Sequence, residues 1–529
     1  MNLARLIERV IQVGTPVSSR RLLARVRSKC PLLPVVVGLV LGQLFAWWGM
    51  LIAGLALVVL LGASWKLHRF SLTAPFVLGA VAGWLSMGLL ISGIPEPYPE
   101  GEKRFIAELL RPPRHSVPGA IQFEVRVRRE LEEDGILQGR TLRCRAVDLP
   151  WREVDGAQRG DVFVILARVR PLVWEPNPFS YSATMLRHGV SGECRVRYAA
   201  RLWHGQLDIF ERARRGIKEH VTRLLGNHER AGLLLALTLG ERDGLSLRTE
   251  KAFRSAGLSH LLVLSGFQVS LVYAVLFWGV RGLGRMLMLR GSWFVHLPAL
   301  LSFLGTSAFV ALVGVDSSSL RAALAMLLVV SAKLSERSTS LWGSIVGSLC
   351  VLTTVWPGAI FEPGVQLTYG ALIGIGLGAE GSSSKLGTFI RVSFWATLVP
   401  LALSAVWFGS LSAGGLILNP LLAPLLSTVG TLAGGGAMVL SLTGIDRGGA
   451  AMDLVASGLT FLKEWVVACS RIPGVFFEVS PEVGTAILAT VLALALLKAR
   501  NVLGFRLKLL NFIPHLNRGA MGSKYEQAF

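Results

Sequence analysis

Nine apolar stretches fill the second half of the chain, at approximately 260–280, 293–314, 319–334, 340–356, 363–379, 388–408, 419–443, 451–469 and 483–498. A backbone at bilayer depth must satisfy its own N–H and C=O groups, so runs of this kind read as membrane helices. Earlier, the run from Leu32 to Gly62 is too long for a signal-peptide core and reads as two short spans joined near Trp47-Trp48-Gly49. A third span covers about Pro75 to Ile91. The tally is about twelve spans, with the short pieces 231–240 and 411–418 as candidates for re-entrant segments. The fold class expected is a polytopic α-helical membrane protein with an inserted extracytoplasmic β-domain.

Charge placement orients the chain. The net charge of +21 could signal a nucleic-acid partner, but membrane proteins also gather Lys and Arg in cytoplasmic segments. Residues 1–29 are basic, Lys66, His68 and Arg69 follow the second span, and every second connection after residue 260 is basic. This pattern puts both termini in the cytoplasm and residues 95–220 outside. Five segments result: a basic cytoplasmic N-terminus (1–31), three N-terminal spans (32–94), an extracytoplasmic β-domain (95–220), a membrane bundle (221–500) and a basic cytoplasmic tail (501–529). Tail residues such as Arg506, Lys508, Arg518 and Lys524 suit anionic lipid.

Within 95–220, Ile121, Phe123, Val125 and Val127 alternate with polar residues at the period of a half-buried strand. Leu142, Cys144 and Ala146 do the same, as do Cys194, Val196 and Tyr198, and Asp161–Val169 suits a central strand. Several short strands in about a hundred residues indicate a small β-barrel or sandwich. Arg126, Arg128, Arg143, Arg145, Arg195 and Arg197 fall on the outward positions, where they form either a phosphate-tracking stripe or a solvated mixed surface. Cys144 and Cys194 are the two cysteines of this region and could form one disulfide in an oxidising compartment.

One stretch of the bundle carries more polar residues than a span needs. Gly257–Val272 includes Ser259, His260, Ser265, Gly266, Gln268 and Ser270. On one ideal helix Ser259, Gly266 and Ser270 fall within roughly 40° of each other, a small-residue seam for a neighbouring helix. Ser265-Gly266 could instead unwind the helix, and His260 could meet a phosphate, sense pH or bond a backbone carbonyl. Arg321, Gln366 and Asn419 are further intramembrane candidates: Arg321 for phosphate or a structural ion pair, Gln366 facing a pore, Asn419 with Pro424 at a broken or kinked helix. Trp203–Ile217 and Leu233–Leu239 read as amphipathic pieces lying along the membrane. The nine histidines are too scattered for an HExxH-type metal site, and no GxxxxGK[ST] loop occurs, so no metal, cofactor or ATPase activity is expected.

These residues resemble the ComEC family of competence channel proteins. Ser259–Val269 looks like that family's SHLLAISGLHVG signature, and Ala236–Arg242 is similar to its ALLLGDR. Arg321-Ala322-Ala323 looks like its SxxRA helix start, Glu362–Thr368 its DPGFQLS, and Leu418–Pro424 its NLLALP. More loosely, Asn177–Tyr181 with His188-Gly189-Val190 fits its NPGxFDY…RQGI stretch. The resemblance implies an OB-like extracytoplasmic domain and a non-enzymatic inner-membrane channel carrying DNA, most plausibly single-stranded, into the cytoplasm during natural transformation. It also implies separate partners: a nuclease, a DNA receptor and a cytoplasmic translocase.

Two departures narrow this reading. Gln268 stands where the family usually has histidine, and after Arg500 only a basic tail follows in place of the family's metallo-β-lactamase-like domain. Two rival readings follow: a membrane structural or assembly protein that keeps the fold without DNA transport, and a small-solute transporter.

Overall fold

A computed structural model of the chain describes residues 33–48, 70–111, 113–117, 120–131, 135–147, 154, 156–175, 177–205, 208–242, 244–288, 296–314, 341–379, 384–446 and 448–503. It opens with two helices, α1 (Leu33–Trp48) and α2 (Phe70–Ser92), the second starting five residues before Pro75. They cross where Gly79 and Gly83 face α1: a Cβ at either would collide with the carbonyl of Val35 or Leu39. Small residues permit this approach in membrane helices.

The β-domain follows with β1 (Gly101–Leu109), β2 (Arg114–Val117), β3 (Ala120–Glu130), β4 (Thr141–Val147) and β5 (Val162–Pro171). After a short helix, α3 (Tyr181–Arg187), comes β6 (Val190–Trp203). Strand order is β1-β5-β6-β4-β3-β2, and β1 also pairs with β3, so the ladder through β1, β5, β6, β4 and β3 closes on itself. Only β4 and β6 run parallel. The alternation seen in the sequence sets the register: Ile121, Phe123, Val125, Val127, Leu142 and Ala146 all turn into one apolar core. The run after Asp161 forms β5, which lies between β1 and β6. Cys144 and Cys194 face one another across β4 and β6 and form a disulfide, with Cα atoms 4.4 Å apart. Closing a loop of 50 residues in the unfolded chain contributes about 4 kcal/mol in the chain-entropy account.

The helical region continues with α4 (Ile209–Leu225), α5 (His228–Leu239) and α6 (Leu247–Ser255), then a 3₁₀ turn at Ser259–Leu262. Next come α7 (Gly266–Met286), α8 (Leu297–Val313) and α9 (Leu341–Val355). A second 3₁₀ turn, Ala359–Phe361, leads into α10 (Pro363–Ala379) and α11 (Lys385–Phe408). A short strand β7 (Ser410–Leu411) precedes α12 (Gly415–Thr428), a π-helical stretch (Val429–Gly434), and α13 (Gly435–Leu442). The chain closes on α14 (Ala450–Ser470), β8 (Phe477–Glu478), which pairs with β7, and α15 (Pro481–Leu503). Among the described residues, four helices are long and apolar enough to cross a membrane: Gly266–Met286, Lys385–Phe408, Gly415–Leu442 and Pro481–Lys498.

Two expectations about short pieces change. Residues 231–239 lie within α5 and are buried on every side, so this helix is a core element and not an amphipathic one at a membrane surface. Residues 411–418 do not form a re-entrant piece. Leu411 belongs to β7, and α12 begins at Gly415. The segment before α5 fits its expectation better: α4 is amphipathic and starts at a capping box between Asp208 and Glu211.

Candidate functional site

The polar stretch 257–272 is not one helix. Gly257 adopts φ +75°, and Leu258 leads into the 3₁₀ turn; the chain is then extended through Ser265 before α7 begins. The seam expected from one continuous helix does not form, because the 3₁₀ turn and the extended residues interrupt the helical period between Ser259 and Gly266. The new helix start is capped reciprocally. Ser265 Oγ accepts the Gln268 N–H at 3.2 Å, and Gln268 Oε1 accepts the Ser265 N–H at 2.8 Å.

Gln268 does more than close that box. It is 1% exposed, and its Nε2 donates to the Leu237 carbonyl at 2.8 Å. The last carbonyls of a helix have no partner within the helix, and α5 ends in a buried place. Thr431 Oγ1, from the π-helical stretch, donates to the same carbonyl at 3.4 Å, while Thr238 Oγ1 bonds the Gly430 carbonyl at 3.0 Å. Arg242 Nε donates to the Leu262 carbonyl at 3.0 Å. Thus the stretches 236–242, 259–269 and 429–434 meet at one knot of helix ends. Its polar groups are backbone carbonyls, hydroxyls and one amide, with a single guanidinium at its edge.

The remaining polar residues of the stretch face outward. Ser259, His260, Gly266 and Ser270 are exposed, as is Phe267. Ser270 Oγ bonds back to the Gly266 carbonyl at 2.8 Å, so its donor is spent within α7. The His260 surface is open, and the side chain hydrogen-bonds the Gly257 backbone. An imidazole at such an edge can offer a hydrogen bond to a passing group.

Gln366 and Asn419 are both turned to structural partners. Gln366 Nε2 donates to the Ile360 carbonyl at 3.0 Å, and its Oε1 accepts Trp407 Nε1–H at 2.8 Å, which ties α10 to α11 instead of facing a pore. Asn419 Nδ2 donates to Thr397 Oγ1 at 3.3 Å, and its buried Oδ1 has no hydrogen-bond partner. The helix break expected as one possibility at Asn419 and Pro424 does not occur there. Helix α12 runs on through both Pro420 and Pro424, and the irregularity comes later, in the π-helical stretch. Arg321 and its preceding Asp316 lie outside the described residues.

A second junction joins the β-domain to the bundle, through Asn177–Tyr181, α3 and His188 on one side and Trp356–Gln366 and Trp407 on the other. Phe179 meets Phe361 and Trp407 edge to face at 5.6 and 5.7 Å. His188 Nε2 lies 3.3 Å from Glu362 Oε1, and its ring packs on Trp356. Arg187 is buried with its guanidinium over Phe361 and donates to the Pro178 carbonyl. Burial pushes its pKa down to about 10, while Glu362 pulls it back up. Nothing in the sequence spacing announces this junction, because its two halves are separated by some 170 residues.

The six outward arginines of the β-domain divide. Arg128 pairs with Glu108 at 3.0 Å, Arg143 with Glu124 at 2.9 Å and Arg197 with Glu102 at 2.6 Å. Arg126, Arg145 and Arg195 are exposed and have no ion pair among the described residues. Arg145 and Arg195 stand directly opposite across β4 and β6, a like-charge placement that costs stability unless an anion lies between them. No group of three or more His, Cys, Asp or Glu side chains suited to a metal occurs among the described residues.

These features define a helical membrane protein with a disulfide-bonded β-domain docked on its bundle. Residues 237–501 match the model of the Competence protein family, and the chain belongs to that family. The match takes in the knot at Leu237, the whole broken stretch and every later helix. The chain is 27% identical over 290 residues to competence protein ComA of Neisseria gonorrhoeae, covering 51% of this chain and 39% of the relative. It is 28% identical over 196 residues to ComE operon protein 3 of Bacillus subtilis, covering 36% of this chain and 24% of the relative. The chain therefore spans well under half of the length of these curated relatives. No solved structure matches it.

Proposed function

We propose that the protein carries DNA, as a single strand, across the bacterial inner membrane into the cytoplasm during natural transformation. The observation that carries this reading is the family match over 237–501, whose first thirty-odd residues hold the broken, outward-facing polar stretch. In this reading the protein is a channel and not an enzyme. The helices form about twelve spans, both termini lie in the cytoplasm, and the β-domain is an extracytoplasmic OB-like barrel. The disulfide suits an oxidising compartment, and the closed five-strand ladder suits a small barrel. Unpaired Arg126, Arg145 and Arg195 receive the polyanion. Ser259 and His260 then offer hydrogen bonds along the path, with exposed Ser270 beyond them, while Gln268 holds the break in shape. A nuclease, a DNA receptor and a cytoplasmic translocase act as separate partners.

Labelled transforming DNA in a deletion strain tests this directly. The expected result is loss of cytoplasmic label, restored by the intact gene, with label still bound outside. Unimpaired uptake would overturn the reading and leave a membrane assembly role instead.

A further inference from the structure

Outside the knot and the docking junction, one cleft of about 360 Å³ lies between α6 and the C-terminal end of α14. Arg248, Lys251 and Ser255 line one wall, at i, i+3 and i+7 of α6, so all three share one helical face. Glu250, the one acidic residue of α6, falls off that face. Ser470 and Arg471 line the other wall. Arg248, Lys251 and Arg471 are exposed, and none forms an ion pair with any described residue. Three unneutralised cations facing one cleft repel each other, and an anion between them removes that cost.

The cleft lies at the end of the bundle that carries the β-domain. Ser412 Oγ donates to the Arg254 carbonyl on α6, and Gly414 N–H donates to the Val475 carbonyl, four residues past Arg471. Ser410 follows α11 after the single residue Gly409, and Trp407 of that helix touches Phe179 of the β-domain. At its other edge, Ser255 lies four residues before Ser259 of the broken stretch.

We infer that this cleft is a binding site for the phosphodiester backbone of single-stranded DNA, between the β-domain and the 259–270 stretch. The inference rests on the DNA reading above and adds to it a specific site. The wall from Arg248 to Ser255 is about 10 Å long, long enough to meet more than one phosphate of an extended single strand. A lipid headgroup would present one phosphate to the same cations.

Binding of labelled oligodeoxythymidine to the full chain, held in neutral phosphatidylcholine nanodiscs and followed by anisotropy across a salt series, tests the site. The variant R248Q/K251Q/R471Q is expected to bind at least tenfold more weakly near physiological salt. Its plot of log K against log salt should flatten by about 2, the contribution of three phosphate contacts to a single strand. R248K/K251R should keep wild-type affinity, and R223Q, an exposed arginine on α4, should change nothing. Wild-type binding that survives intact in the triple variant overturns the site and leaves the transport reading standing. So does a defect that appears only when anionic lipid is added, which would assign the cleft to headgroups. A wild-type protein that binds no oligonucleotide overturns the transport reading, and this site with it.

Discussion

The two ends of α5 are about 18 Å apart and are held by opposite chemistry. At the N-terminal end Asn227 caps the helix. Glu229 takes hydrogen bonds from Ser246 and Thr249 and pairs with Lys463 at 3.5 Å, while Arg230 pairs with Asp453 at 3.0 Å. At the C-terminal end the donors to the Leu237 carbonyl among the described residues are neutral. Gln268 and Thr431 reach Leu237, and Thr238 reaches Gly430. The difference follows water. Ion pairs are tolerable where side chains are partly solvated, whereas a buried helix end needs donors that carry no desolvated charge. The neutral end is therefore the one suited to brace a break inside an apolar bundle.

The comparison can be broken most sharply at Gln268. Gln268→Leu leaves the Leu237 carbonyl with one weak donor and the Ser265 N–H with none; at ~1–3 kcal/mol for each orphaned group, a loss of about 3 kcal/mol is expected in thermal unfolding. Gln268→His restores a donor of the kind the family resemblance places here, and most of the stability should return. Gly257→Ala tests the bend that brings the break to α12. The added methyl would meet Gly415 Cα at 3.0 Å in a left-handed conformation, for about 2 kcal/mol. Thr238→Val keeps the volume and removes one hydroxyl, and about 1 kcal/mol should be lost, with little dependence on salt.

The smallest effect belongs to the charged end. Hydrogen bonds from Thr249 and Ser246, helped by Lys463, hold the Glu229 carboxyl below the ordinary carboxylate value. A depressed carboxylate contributes stability that is present above its unfolded pKa and is lost as pH falls through the folded one. Thr249→Ala should therefore cost about 1 kcal/mol or less at neutral pH and less again in strong acid, where the Glu229 part is gone but the Ser246–Thr249 hydrogen bond is still lost. The Lys463–Glu229 contribution should also fade at high salt while that of Gln268 does not. An equal salt response at both ends would contradict the division drawn here.

Much of the architecture was legible in the residues. Period-two alternation placed Ile121–Val127 inside the β-domain, and apolar runs marked the helices from α7 to α15 that lie in the described part. What spacing could not convey was tertiary. Gln268 looked like a departure from a family pattern because its partner, the Leu237 carbonyl, is 31 residues away and becomes an orphan only once α5 is buried. Likewise Gln366 looked pore-facing until Trp407 took its oxygen. The same blindness hid the α6–α14 cleft, whose basic walls are more than two hundred residues apart. Single-helix reasoning failed at Ser259 for a local reason: Gly257 and the 3₁₀ turn interrupt the helical period that the seam assumed.

In the transport reading proposed above, the exposed residues of the broken stretch meet the transported strand while Gln268 only braces it. Photocrosslinking residues placed singly at Ser259, His260 and Ser270, and at exposed Ile390 and Leu454 on other helices, test it during uptake of labelled transforming DNA. Adducts are expected from the first three positions and none from the other two. DNA adducts at Ile390 or Leu454 with none at 259, 260 or 270 would contradict that reading.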